Sequence, residues 1–262
     1  MPLTEFQKTV LHVLAAQRKP ESHVGGGTVI NRSNSSPRYS ADVDLFHDIA
    51  ESVHTSAEAD FRALANHGFT VEWLLRQPSL YRAQVGREKE FLRLDWCFDS
   101  AFRFFPVQPD PVFGYCLHPA DLAANKALAL AGRSEIRDFL DILYLHDNYL
   151  SLGAICWSAC AKDQGFTPWS VLDSAKRNVK FRQQDLESEH LREVMSLTIL
   201  KENWLKAVAE AEAWFGKLPM IDAGCLYLRP DGSPFTPDPA DSTFSNVMRH
   251  FGSVRGAWPK LS

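Results

Sequence analysis

Asp42 and Asp44 stand two residues apart in Arg38-Tyr39-Ser40-Ala41-Asp42-Val43-Asp44-Leu45-Phe46. The alternation predicts a strand with Tyr39, Ala41, Val43 and Leu45 on one side and Ser40, Asp42 and Asp44 on the other. Two carboxylates roughly 7 Å apart on one strand face repel unless positive charge lies between them. A divalent cation supplies it. Hard carboxylate oxygens suit Mg²⁺, which keeps several waters and takes phosphate oxygens as further ligands. A third acid, Asp95, lies in Leu92-Arg93-Leu94-Asp95-Trp96, where Arg93 and Asp95 share one side. Three carboxylates on neighbouring strands would hold two Mg²⁺ ions for phosphoryl transfer, one activating a nucleophile and one neutralising the leaving group. Upstream, Gly26-Gly27-Thr28 would bring backbone N–H groups and a hydroxyl to the phosphates. The competing reading is a solvated strand face, with Asp95 paired to Arg93 or Arg103.

A second set of charges follows. Lys126 sits in an apolar helix pattern with Leu122, Ala123, Ala127, Leu128 and Leu130. It either snorkels to the surface or binds a phosphate. Asp138 and Asp141 fall opposite the apolar stripe of Ile136, Phe139, Leu140, Leu143 and Tyr144. Arg137 and Asp141 also have the spacing of an exposed helix pair. Lys176, Arg177, Lys180 and Arg182 form a basic run. It is either a solvated face or a patch for a polyanionic acceptor. His47, His118 and His146 lack metal-ligand spacing.

The elements that must position these groups are legible in outline. A helix is predicted over residues 3–17, ended by Pro20, and the glycines at 25–27 break the chain again. After the strand, 48–65 read as a helix, and 70–107 as a run of short strands. Pro119 opens a helix that stops at Gly132, and Ser134 is placed to cap the next. Further helices are expected near 149–161, 168–178, 186–196 and 197–216, and then an irregular tail with one short strand in "CLYLRPDGSPF". The expected organisation is a mixed α/β part over 1–117, a helical part over 118–216 bordering the same cleft, and a tail over 217–262.

The chain has 262 residues, 45% apolar and 23% charged, with a formal net charge of −4. These values describe a globular protein with no global basic excess, so binding to nucleic acid needs a local patch. The five cysteines form no even framework and read as buried free thiols in a reducing compartment. No signal-peptide layout and no apolar run of membrane-spanning length is present. The expected location is cytoplasmic, with no membrane partner.

The glycine turn, the D-x-D and the later acid resemble the AbiEii/AbiGii-type nucleotidyltransferases, within the DNA polymerase β-like superfamily. The R-x-S-x-D-x-D-L-F form is characteristic of that family. A second pattern also matches it: Asp121, four residues, Lys126, then Arg133 and Arg137-Asp138-Phe139-Leu140-Asp141. The resemblance spans about residues 24 to 240. It implies an α+β fold, a nucleotidyltransferase-like mixed β-sheet with flanking helices followed by a helical C-terminal region. It implies a catalytic set of Asp42, Asp44, Asp95, Lys126 and Asp138 or Asp141. Gly26, Gly27, Thr28, Arg38, Ser40 and Lys126 are its implied nucleotide-binding residues. The implied reaction moves an NMP from an NTP to a tRNA or protein acceptor with Mg²⁺, in the toxin of a toxin–antitoxin or abortive-infection system with a cognate antitoxin. Gly27 stands where many superfamily members have Ser, and the gap from Gly27 to Asp42 is long. A nucleotide-binding regulatory module and a small-molecule nucleotidyltransferase of the antibiotic-modifying type are the alternatives.

Overall fold

The structure is a computed structural model, describing residues 3–260. The chain forms two compact units. The first takes the residues up to 101 together with 106–118, and the second takes 102–105 together with the residues from 119 onward.

The first unit opens with α1 (Glu5–Ala15), started by a reciprocal capping box between Thr4 and Gln7. Then come β1 (Ser22–Gly25), α2 (Gly26–Ile30), β2 (Asp42–His47) and α3 (Ala50–Asn66). Strands β3 (Thr70–Gln77), β4 (Leu80–Arg87) and β5 (Glu90–Phe98) form a meander. Strand β6 (Phe102–Arg103) falls in the second unit, while β7 (Gln108–Asp110) and β8 (Gly114–Cys116) return to the first. The sheet order is β3-β4-β5-β2-β1-β8-β7. Strand β2 runs antiparallel to β1 and parallel to β5, so the sheet is mixed.

One face of this sheet is apolar. Val43, Leu45, Ala83, Val85, Leu92, Leu94 and Trp96 are all buried, and α3 packs across β2 to β5. Helix α1 lies against α3 and adds Phe6, Val10, Leu11 and Leu14 to the core. Under these helices Arg18 grips both carboxylate oxygens of Asp60 at 2.5 Å, and the Trp96 indole N–H donates to Asp60 at 2.7 Å. The pair is wholly buried and fully hydrogen-bonded, which a buried charge requires.

Two expectations for this unit are corrected. The residues before Gly26 form a strand instead of a simple break. The strand carrying the D-x-D begins at Asp42, not at Arg38: the Ser40 carbonyl accepts from the Gln7 side chain at 2.7 Å, outside the sheet ladder.

The second unit holds α4 (Pro119–Gly132), α5 (Ile136–Asn148), α6 (Leu152–Ala159), α7 (Pro168–Asn178), α8 (Gln183–Glu187) and α9 (Leu197–Phe215). Every residue of α6 is buried, as befits a helix with neighbours on all sides. A side chain on Gly153 would meet Ala211 and Trp214 of α9 at 3.1–3.2 Å, so this glycine permits the close approach. The cap of α5 is Glu135, not Ser134, whose hydroxyl donates to the Asn178 carbonyl. The helix expected over 186–196 is replaced by the short α8. The stretch after it carries Leu191, Val194 and Met195 but buries none of them, so no packing supports a helix there.

The tail is more ordered than expected. It holds β9 (Leu226–Leu228), β10 (Met248–His250) and β11 (Ser253–Val254), with β10 paired to β9 and β11 to β6. Asp222 ties it together, accepting from Tyr227 at 3.0 Å and Arg249 at 2.8 Å. Among the described residues no helix is long and apolar enough to cross a membrane.

The β2 residue His47 makes the first unit sensitive to acid. Burial, with the Arg18 charge adding to it, lowers its pKa from 6.5 to about 4. The unfolded chain takes a proton near pH 6.5 and the folded chain only near pH 4. Stability is therefore complete above pH 6.5 and declines as the pH falls through that window, by about 3 kcal/mol in all. Urea unfolding measured from neutral pH down to about pH 4 is expected to show this decline, and His47→Gln is expected to flatten it.

Candidate active site

The second face of the sheet carries the charges. Strand register sets Asp44 directly beside Asp95 and Asp42 beside Arg93. The β4–β5 pairing adds Arg82 beside Asp95 and Gln84 beside Arg93. Period-two alternation puts all of these on the face opposite Val43 and Leu94. Arg82 grips Asp95 with two hydrogen bonds, 2.8 Å from Nε and 2.7 Å from Nη2. Arg93 donates from Nη2 to Asp42 Oδ2, and its Nε lies 3.7 Å from Asp95 Oδ1. Arg82 and Arg93 thus supply positive charge to Asp95 and Asp42 on this face. The field reaches Cys97, whose thiol is pushed up to about 12 by burial and by the Asp44 and Asp95 charges.

The glycine turn fits against this face through the absence of side chains. Gly26 has φ +66, and a Cβ there would lie 2.1 Å from Asp44 Oδ2. Gly27 has no room either, since its Cβ would come 2.6 Å from Arg38 Nη2 and 3.1 Å from Ser40 Oγ. Backbone thus approaches the Asp44 carboxylate where any larger residue would displace it. The other motif residues brace the arrangement. The Thr28 hydroxyl is buried and donates to the Asp42 carbonyl, so it is turned to protein backbone. The Ser40 hydroxyl, also buried, reaches the Asp42 carbonyl and Oδ1, each at 3.2 Å. Buried Arg38 donates to the Tyr39 carbonyl.

In the second unit, Lys126 is buried and bridges two carboxylates. Its Nζ lies 2.7 Å from Asp138 Oδ1 and 2.9 Å from Asp141 Oδ2. Arg133 Nε binds the other Asp138 oxygen at 2.7 Å. Both aspartates are wholly buried. This corrects the expectation of a solvated face: Asp141 turns to Lys126, and Lys126 does not snorkel. Burial raises the Asp138 pKa, but the Lys126 and Arg133 charges outweigh it and hold the carboxyl below its usual range. Asp121 is the counterpart nearby in sequence. It accepts from the Phe104 and Phe105 amides at 2.9 and 3.1 Å and pairs with Lys162 at 2.8 Å. The basic run is partly neutralised, with Lys176 paired to Glu212 at 2.7 Å and to Asp173 at 3.4 Å.

The sheet-face donor set is all carboxylate oxygen, which fits a hard divalent cation. As arranged, Asp42 and Asp95 turn to arginines, and among the described residues no three acidic, His or Cys side chains converge on one ion position. Arg82 is what sequence reading missed; Arg93 was read as a possible partner of Asp95, but it hydrogen-bonds Asp42. A two-residue turn at Glu88 and Lys89 fixes the β4–β5 register that brings Arg82 to Asp95. Its signal is weak, because Glu88 takes φ +57, a conformation that usually calls for Gly or Asn.

Two substitutions follow from this geometry. Gly26→Ala is expected to disturb Asp44 directly and to cost about 1–2 kcal/mol of stability from the positive φ and the contact, measured by urea unfolding. Lys126→Met leaves buried carboxylates without their shared cation and is expected to cost about 3 kcal/mol near neutral pH. Adding Asp141→Asn to Lys126→Met is expected to recover part of that loss.

Comparison with known proteins completes the assignment. The model of the family "Nucleotidyl transferase AbiEii toxin, Type IV TA system" matches residues 13–214, a span containing the D-x-D strand and the Lys126 cluster. No curated protein sequence matches. Among solved structures, MenT4, a nucleotidyltransferase toxin from Mycobacterium tuberculosis, superposes with a TM-score of 0.58 at 16% identity, covering 79% of this chain and 82% of its own. JHP933 from Helicobacter pylori gives a TM-score of 0.47 at 17% identity, covering 80% and 92%. The mixed sheet with flanking helices is thus the fold of a nucleotidyltransferase toxin structure. On the family match, the chain belongs to the AbiEii nucleotidyl transferase toxin family of type IV toxin–antitoxin systems, and it is a nucleotidyltransferase.

Proposed function

We propose that the face carrying Asp42, Asp44 and Asp95 binds Mg²⁺ and the NTP, and that the enzyme transfers an NMP to a macromolecular acceptor. The observation that carries this reading is the in-register placement of Asp44 and Asp95, with side-chain-free Gly26 against the Asp44 carboxylate. Asp42 and Asp44 are the residues that would hold the metal, two ions in full occupancy. Bound there, Mg²⁺ would supply positive charge for the triphosphate and the departing pyrophosphate. Asp95 either joins them or takes the proton of the attacking hydroxyl on a carboxylate oxygen. The Gly26 and Gly27 backbone approaches the phosphates, while Thr28, Arg38 and Ser40 hold the turn and Asp42 in place. Lys126, with Asp138 or Asp141, is assigned a role in nucleotide binding on the resemblance of its motif. The hydroxyl attacks the α-phosphorus, the bond to the β-phosphate oxygen breaks, and pyrophosphate leaves.

The acceptor class we favour is a tRNA end or a protein hydroxyl, and the biological role is that of a cytoplasmic toxin restrained by an antitoxin. The family description and the toxin named among the similar folds support that role. Incubation with each labelled NTP, Mg²⁺ and either total RNA or total protein is expected to move label to one acceptor class. Asp44→Ala is expected to lower transfer at least a hundredfold while its unfolding curve stays cooperative. Transfer at the full rate by that variant would overturn the mechanism. Thermal stabilisation by an NTP without pyrophosphate release would point instead to a nucleotide-binding regulator.

A further inference from the structure

The two arginines of the charged face are held differently. Arg82 commits Nε and Nη2 to Asp95 in two short, parallel bonds, the geometry of a fixed fork. Arg93 hydrogen-bonds only Asp42 in that pairing. Its Nε is buried, has no hydrogen-bond partner among the described residues, and stands 3.7 Å from Asp95. The fork therefore spans two acids while satisfying one. Its side chain is also 38% exposed. A partly solvated arginine exchanges its partner more easily than one held like the fully buried Arg18–Asp60 pair.

Charge completes the argument. Without a cation, Asp42, Asp44 and Asp95 need counter-charge, and Arg93 supplies it between two of them. Once a divalent cation takes the carboxylates, the Arg93 charge becomes surplus on a patch that then favours an anion. Its unused donors suit a phosphate oxygen.

Resting on the assignment of these acids to metal binding, we propose that Arg93 is an exchangeable internal counter-ion. It competes with the divalent cation for Asp42 and Asp95 and, once displaced, binds the phosphates of the nucleotide. Metal and nucleotide binding are coupled through this one side chain, with Arg82 holding Asp95 in place during the exchange. Arg93 is thus a ligand-binding residue, and its signature is of opposite sign at the two ligands.

The test uses the full chain, with Mn²⁺ as the probe and free Mn²⁺ read by electron paramagnetic resonance in the absence of nucleotide. Arg93→Met is expected to tighten Mn²⁺ binding roughly tenfold, because the competitor is gone. ATP, GTP, CTP and UTP are then titrated in turn in saturating Mn²⁺, and the nucleotide that the wild type binds is expected to bind Arg93→Met roughly tenfold more weakly. Arg93→Lys, which keeps the charge, is expected to stay near wild type in Mn²⁺ affinity. A merely structural arginine would weaken Mn²⁺ binding on removal, so unchanged or weaker Mn²⁺ binding by a cooperatively folded Arg93→Met overturns the proposal. Asp42→Asn separates the two failures. If it loses Mn²⁺ binding while Arg93→Met does not tighten it, the metal site stands and the counter-ion role falls. If Asp42→Asn binds Mn²⁺ as the wild type does, the underlying site assignment falls and the proposal with it.

Discussion

Like charges placed side by side are the constraint around which the first unit is arranged. Asp44 and Asp95 are register partners in a parallel strand pair, so their carboxylates start about 5 Å apart. At the effective dielectric of a protein surface, such a pair repels by about 3 kcal/mol, and Asp42 adds to it. A chain with only some 5–15 kcal/mol of total stability must compensate for that term. Much of the local structure does so. Arg82 and Arg93 provide the positive charge, and Ser40 donates to Asp42. The glycine turn keeps methyl groups off the Asp44 carboxylate, which would otherwise lose its space as well as its solvation.

The second unit handles charge in the opposite way. Lys126, Arg133, Asp138 and Asp141 form a balanced group whose aspartates see no solvent. In such a setting each charge depends on its partners, because an unpaired buried ion costs several kcal/mol. The sheet face instead keeps partly exposed arginines on its acids, and is suited to exchanging ligands. The buried group is suited to holding helices α4 and α5 in one register. Aspartates and basic side chains serve both ends, and burial decides which.

This contrast also explains what could be read from the chain and what could not. The D-x-D alternation, the acid at Asp95, the Pro119–Gly132 helix and the α5 stripe are local patterns, and each was legible from spacing alone. The burial of Asp138 and Asp141 was not. On a helix drawn in isolation they fall opposite Phe139 and Leu140, and only the arrival of Lys126 from α4 makes that second side an interior. Arg82 was hidden because its role depends on a hairpin register set by an unfavourable turn residue, Glu88. The tail strands were hidden because each is two or three residues long and is paid for by non-local contacts, chiefly Asp222 with Tyr227 and Arg249. The first strand was masked by the glycines that follow it.

Those glycines show where local preference gives way to the site. Three in succession from the last residue of β1 onward lower the propensity of everything around them, and each costs backbone entropy on folding. Gly25 has its missing Cβ against the Phe46 ring, Gly26 against Asp44 and Gly27 against Arg38. All three therefore face residues of the D-x-D segment. A turn chosen only to reverse the chain would need one such residue at the positive φ of Gly26. Three are explained by the close approach of one stretch of backbone to β2 and its lead-in, which leaves the Asp44 carboxylate beside main chain instead of beside side chains. That arrangement weakens the local fold in order to set bare main chain against the Asp44 carboxylate, a local cost of the kind met at functional sites.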